Sequence, residues 1–198
     1  NCIVIPGDPF WGTLAVGPSG ELYVCGAGDS AFVAAKSTTA RDSSRVVSWD
    51  TTTVVRLDGD IVAFAGSNSP NPGGLLGQAW VAVDRSNGPT RGNVYVLCSV
   101  RRNSNADPLD VMFVRSTNGG RTWSAPVRVN DDASTTAWQW FGTMSVAPTG
   151  RIDVVWLDTR DNPGSVNSSL YYSFSTNAGV TWSPNARLSQ SFNPHLGW

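Results

Sequence analysis

The chain has 198 residues, 40% of them hydrophobic and 15% charged, with a formal net charge of -1. That is enough apolar content for a core and too little charge for a disordered polymer. The lack of any Lys/Arg run argues against a nucleic-acid track or an anionic membrane surface, and no apolar stretch approaches the roughly 20 residues that cross a bilayer.

Of the 14 basic residues 13 are Arg, and of the 15 acids 14 are Asp, with Lys36 and Glu21 the exceptions. Lys and Glu favour helices whereas Asp favours turns, so this choice, with 20 Gly and 12 Pro, points to strands and loops. Cys2, Cys25 and Cys98 are widely spaced and the only imidazole is His195, which speaks against a thiolate metal site. No metal and no cofactor are expected. The chain opens on Asn1 rather than Met, and is read as a processed product or a piece of something larger.

In chain order, the first element is a hairpin, Phe10-Trp11-Gly12-Thr13-Leu14-Ala15-Val16, a Gly17-Pro18-Ser19-Gly20 turn, then Glu21-Leu22-Tyr23-Val24. A third strand follows at 32–37. A looser copy of the hairpin begins at Gln78-Ala79-Trp80-Val81-Ala82-Val83 and resumes at Gly92-Asn93-Val94-Tyr95-Val96, followed by strands at 110–116 and 126–129. Trp140-Phe141-Gly142-Thr143-Met144-Ser145-Val146 then repeats the first hairpin at a constant offset of 130 (142 minus 12), with Ala147-Pro148-Thr149-Gly150 as its turn and strands at 170–175 and 185–188. Four strands in about 65 residues is the anatomy of a propeller blade. The fold expected is all-β, with about three four-stranded antiparallel blades over roughly 8–66, 77–131 and 138–190. A sandwich is the alternative. Three blades leave apolar sheet faces uncovered, so they are expected to be part of a larger ring or to close it by association with a second copy. The segment 193–198 reads as the start of another inner strand.

Two segments are near copies, Ser116-Thr117-Asn118-Gly119-Gly120-Arg121-Thr122-Trp123 and Ser175-Thr176-Asn177-Ala178-Gly179-Val180-Thr181-Trp182. Asn tolerates positive φ, Gly takes the next awkward dihedral, and Trp packs beneath the hairpin. Both resemble the Asp box, Ser-x-Asp-x-Gly-x-Thr-Trp, of the sialidase or BNR-repeat family, with Asn for Asp. The structural positions are Ser116, Asn118, Gly120, Thr122 and Trp123, and Ser175, Asn177, Gly179, Thr181 and Trp182. The first blade has lost the pattern at Lys36-Ser37-Thr38-Thr39-Ala40.

The resemblance implies a secreted or cell-surface propeller that recognises a carbohydrate or glycoconjugate on the rim opposite the boxes. That rim comprises the loops 26–31, 67–77, 101–109, 130–139, 158–168 and 190–198. The family's chemistry uses an arginine clamp on a carboxylate, a Tyr nucleophile with a Glu partner, and an Asp acid. Arg101, Arg102 and Arg160 are the available cations. Arg160, in Trp156-Leu157-Asp158-Thr159-Arg160-Asp161, is read either as a ligand contact, with Asp161 beside it, or as a loop salt bridge. Asp131 and Asp158 are the candidate acids, with Asp132 and Asp161 behind them, and solvated turn carboxylates are the plain alternative.

Glu21, the only glutamate, falls on the box side, the tyrosines lie in strands, and Phe-Arg-Ile-Pro is absent, so a complete sialidase site is not expected in this chain. Trp11, Trp138, Trp140, Phe141, Phe192 and Trp198 suit sugar stacking or packing between sheets, and His195 a site or structural role. Asn167-Ser168-Ser169 fits a glycosylation sequon. A non-catalytic scaffold for protein partners is the second reading of function.

Overall fold

The computed structural model describes residues 3–29, 31–104 and 107–196. Among them, thirteen strands form three antiparallel sheets that follow one another in sequence. The first is β1 (Phe10–Val16), β2 (Leu22–Ala27), β3 (Phe32–Ser37) and β4 (Thr51–Val55), hydrogen-bonded in that order. The third is β10 (Gln139–Val146), β11 (Ile152–Asp158), β12 (Ser169–Ser175) and β13 (Ala186–Arg187), in the same order.

The second sheet departs from this plan at its inner strand. Both β5 (Gly59–Ile61) and β6 (Trp80–Val83) pair with β7 (Val94–Arg102), β5 with its far end and β6 with its near end. Strands β8 (Asp110–Ser116) and β9 (Val127–Arg128) complete it. The inner strand is therefore split by an insertion at 62–79. β5 belongs to the second sheet although it falls within 8–66, the span read as the first repeat. Strand β4 has no counterpart in the sequence reading either.

The offset of 130 is reproduced in atomic detail. Gly20 at φ 84 and Gly150 at φ 85 turn the chain, with Gly20 N–H on Gly17 O at 3.1 Å and Gly150 N–H on Ala147 O at 2.9 Å. Each register shifts once, between Phe10 and Thr13 and between Trp140 and Thr143. At each shift the bulged residue is a matched aromatic at positive φ, Trp11 at 48° and Phe141 at 57°. That conformation costs an L side chain energy and is held here by the bulge.

Burial follows the stacking. In β7 Val94 to Val100 are all buried, since this sheet is covered on both faces, and its sequence is accordingly apolar but for Ser99. In β11 and β12 every second residue is buried, which is the alternation of a sheet packed on one face. Tyr23, Cys25, Phe32 and Val55 pack on Val81, Val96, Cys98 and Met112. Leu97, Val111 and Phe113 pack on Met144, Val154, Trp156 and Tyr171.

The boxlike turns tie each sheet to the one before it. The hydroxyl of Ser116 donates to Asn118 Oδ1 (2.9 Å) and accepts the Gly120 N–H (2.9 Å), and Asn118 Oδ1 also accepts the Thr122 N–H (3.0 Å). Ser175, Asn177, Gly179 and Thr181 repeat these bonds at 2.9, 2.9 and 3.0 Å. Trp123 Nε1 then donates to Thr53 Oγ1 on β4 (3.0 Å), and Trp182 meets Phe113 edge to face at 5.1 Å. In the first sheet Ser37 still accepts the Ala40 N–H (3.1 Å), but the loop runs on to Asp50, whose carboxylate takes the Thr38 N–H (2.6 Å).

Candidate functional site

Antiparallel pairing puts the boxlike turns at one rim and the loops after β2, β7 and β11 at the other. Two features occupy this second rim, a chain of ion pairs across the sheets and an uncharged groove at the third sheet.

Arg160 lies at the centre of the ion pairs and is fully engaged. Its Nε donates to Asp158 Oδ2 at 2.9 Å, Nη1 to Asp131 Oδ1 at 2.8 Å, and Nη2 to Asn185 Oδ1 at 3.1 Å, with Asp132 at 3.4 Å and the Tyr171 ring 4.4 Å from its carbon. Only 14% of its side chain is exposed. Of the two readings of Arg160, the geometry is that of the salt bridge, and its partners extend to Asp131 and Asp132 on the connector from the second sheet. Asp161 is not among them. It accepts the Tyr171 hydroxyl at 2.9 Å and stands 3.5 Å from Arg187.

Burial raises the Asp158 carboxyl above its usual range, against the opposing pull of Arg160 and the Trp156 indole. Asp131 is held low: burial works the other way, but the Asn185 N–H and Arg160 outweigh it. Asp158 is buried within the clip and does not face solvent, whereas Asp131 is half exposed while its two oxygens accept from Arg160 and the Asn185 N–H.

Arg102 makes the corresponding clip one sheet earlier, with Nε on Asp58 at 2.9 Å and Nη1 on Asp110 at 3.3 Å. Asn130 links the two clips, its Nδ2 donating to Asp110 at 2.7 Å and Asp132 at 2.8 Å. The adjacent Arg101 is exposed. Sequence reasoning missed Asp58, Asp107, Asp110, Asn130 and Asn185. Asp107 is buried, and that burial, with Asp110 and Asp132 nearby, raises its carboxyl. No local motif marks these residues, since their partners are up to 56 positions away.

The phenols of the tyrosines are held toward their protonated form. Burial pushes Tyr23 and Tyr171 up to about 12 and also raises Tyr95, and the Asp153 carboxylate raises Tyr172. A phenol must lose its proton to act as a nucleophile. Glu21 lies beside Tyr23 on the box rim, where its charge adds to that rise.

The groove, of ≈ 460 Å³, is lined by Pro70, Asn71, Trp140, Leu157, Phe192, Asn193 and Pro194. Its walls come from the insertion that splits the second sheet and from the segment after β13. His195 joins these walls, its Nε2 lying 2.8 Å from the Ser69 carbonyl. A carbonyl only accepts, so Nε2 carries the proton, and His195 acts as a clasp beside the groove. Phe192 is pinned by two backbone bonds to Ser168, both 2.9 Å, and Trp140 Nε1 donates to Ser168 Oγ at 3.0 Å. Trp138 packs beneath with the Leu109 and Trp140 cluster. Trp11 and Phe141 stay 39% and 36% exposed, whereas Trp198 lies outside the described residues. In the sequon, Ser168 and Ser169 are buried.

No family model matches the sequence, and no curated protein matches it. Solved structures do. An alpha-L-arabinanase of Penicillium chrysogenum, complexed with arabinobiose, matches at 16% identity and TM-score 0.56, over 96% of this chain and 52% of its own. The alpha-L-arabinofuranosidase Arb93A of Fusarium graminearum matches at 15% and 0.55, over 91% and 48%, and the Hadza microbial sialidase Hz136 at 19% and 0.51, over 85% and 35%.

The fold is a β-propeller. The three sheets are its blades, and the clips and boxlike turns are contacts between neighbouring blades. The chain spans between about a third and half of the length of these structures, and at such identities the likeness is one of fold. It bears out the sialidase-like propeller drawn from the two boxlike turns.

Proposed function

We propose that this propeller segment recognises carbohydrate through the groove between residues 70–71 and 192–194. The carrying observation is that groove itself, with two pinned aromatic walls, two amides, and a place on the rim away from the boxlike turns. Sugar rings offer apolar C–H faces to aromatics and hydroxyls to amides, which is the lining found here. The fold shared with an arabinanase, an arabinofuranosidase and a sialidase supports a glycan ligand over an unrelated one. Catalysis is not part of the proposal, because the tyrosines are raised and the acids are engaged in clips. Secretion or surface display is proposed with it, since polymeric glycans are met there.

A glycan microarray tests this reading. Retention of a sugar by the wild type, weakened in His195→Ala as the walls part, is the expected result; no retention on any glycan at high protein concentration would count against it.

One further observation bears on closure of the ring. On the outward face of the third blade Val155, Leu157, Leu170, Tyr172 and Phe174 are only half-buried, and Leu188 is 55% exposed. Leu97, Val111 and Phe113, on the corresponding face of the second blade, are fully covered. That face suits a further blade, from the rest of a propeller or a second copy. Light scattering separates the two, a mass of twice 21.1 kDa supporting the second copy.

A further inference from the structure

We infer that the groove selects an uncharged sugar ring and discriminates against acidic ones, an inference that rests on the glycan reading above. Charge and free hydrogen-bonding atoms decide the selection. Among the described residues that line the groove none carries an ionisable side chain, and the neighbouring His195 spends its Nε2–H on the Ser69 carbonyl. The nearest strong cation along the chain from Leu157 is Arg160, and its donors are spent on Asp158, Asp131 and Asn185. Arg102 is likewise held by Asp58 and Asp110. A sugar carboxylate entering here would lose water without gaining a cation, and it would do so on a rim whose clips hold more carboxylates than guanidiniums.

What the groove does offer is a free amide N–H2 and a free amide oxygen. Asn193 Oδ1 accepts the His195 N–H at 2.9 Å, and among the described residues its amide N–H2 has no partner. Asn71 Nδ2 donates to the Leu75 carbonyl at 2.8 Å, leaving Oδ1 to accept. A hydroxyl both donates and accepts, so neighbouring hydroxyls of a neutral ring can satisfy both amides. The apolar face of the same ring would lie on Phe192, which is 38% exposed.

Isothermal titration with arabinobiose, xylobiose and cellobiose as neutral probes, and with sialyllactose and digalacturonate as acidic ones, tests the selection. At least one neutral disaccharide should bind about tenfold or more tightly than either acidic probe, with an affinity that does not change between about 0.05 and 0.5 M salt, since no ion pair is there to be screened. Phe192→Ala should weaken it about tenfold, whereas Phe192→Tyr, which keeps the ring, should retain it and guards against misfolding of the first variant. Acidic probes binding as tightly as the neutral ones would overturn the selection and leave the glycan reading standing. No binding by any of the five would overturn both, and neutral binding unaffected by Phe192→Ala would move the site elsewhere and so refute the inference.

Discussion

The two rims of this molecule are built by opposite rules. At the box rim, residues 116–123 and 175–182 carry the same bonds at the same distances, each closed within a span of four residues. At the other rim, the Arg160 clip joins residues 25 and 29 positions apart, and the groove joins Ser69 to His195 across 126. Local bonding tolerates one solution and repeats it in every blade that keeps it. Long-range assembly varies from blade to blade, and this is where a specific ligand site can arise on a repeated scaffold.

The largest test of this contrast is Arg160→Ala. It strands the buried Asp158 without its cation, which costs about 3–5 kcal/mol when a buried pair is broken; urea unfolding would read the loss. The loss should depend on pH. Burial already raises the Asp158 carboxyl above the unfolded value of about 3.9. The native state therefore holds this proton to higher pH than the unfolded chain, and this group's contribution to stability falls as pH rises through that window. Without Arg160 the rise is unopposed, so the deficit should be greatest at neutral pH and narrow toward about pH 4. A deficit that does not vary with pH would detach Asp158 from the effect.

A smaller effect sharpens the comparison inside the box rim. Gly120 and Gly179 occupy the same place in their turns, at φ 84 and 76. A methyl on Gly120 would meet nothing closer than 3.9 Å, whereas one on Gly179 would lie 2.1 Å from the Phe113 ring. Gly120→Ala should cost about 1–2 kcal/mol for the left-handed backbone, and Gly179→Ala about 1–3 kcal/mol more for overpacking. Equal melting temperatures for the two would mean that Phe113 yields freely.

The smallest expected effect is Asn118→Asp, within about 0.5 kcal/mol. Asn118 Nδ2 donates to Thr122 Oγ1 at 2.8 Å, and with Asp the threonine hydroxyl can reverse and donate instead. Asn118→Ala, which loses the acceptor of the Thr122 N–H, should cost about 1–3 kcal/mol. Thermal melts of the pair distinguish a turn that needs the oxygen from one that needs the amide.

What was legible in the sequence follows the same division. The hairpins at 10–24 and 140–154 and both boxlike turns could be read because their determinants are contiguous: a Gly-Pro turn, alternating apolar residues, and an Asn-Gly or Asn-Ala-Gly corner. β5 was not legible, because three residues carry no period and its partner β7 lies some forty positions on. Arg160 was found and its surroundings were not, since nothing in Trp156-Leu157-Asp158-Thr159-Arg160 reveals that Asp131 and Asn185 arrive from other elements. His195 and Phe192 drew notice as residue types, but the groove they border needs the 62–79 insertion, whose role in splitting a strand leaves no mark on its own composition.

The division of labour between the rims can be measured directly by following backbone amide shifts while a neutral disaccharide is titrated into the protein. The account predicts shifts confined to residues around 69–72, 140–142, 157 and 191–195, with amides of 116–123 and 175–182 unmoved. Saturable shifts in the boxlike turns, with the groove silent, would contradict it.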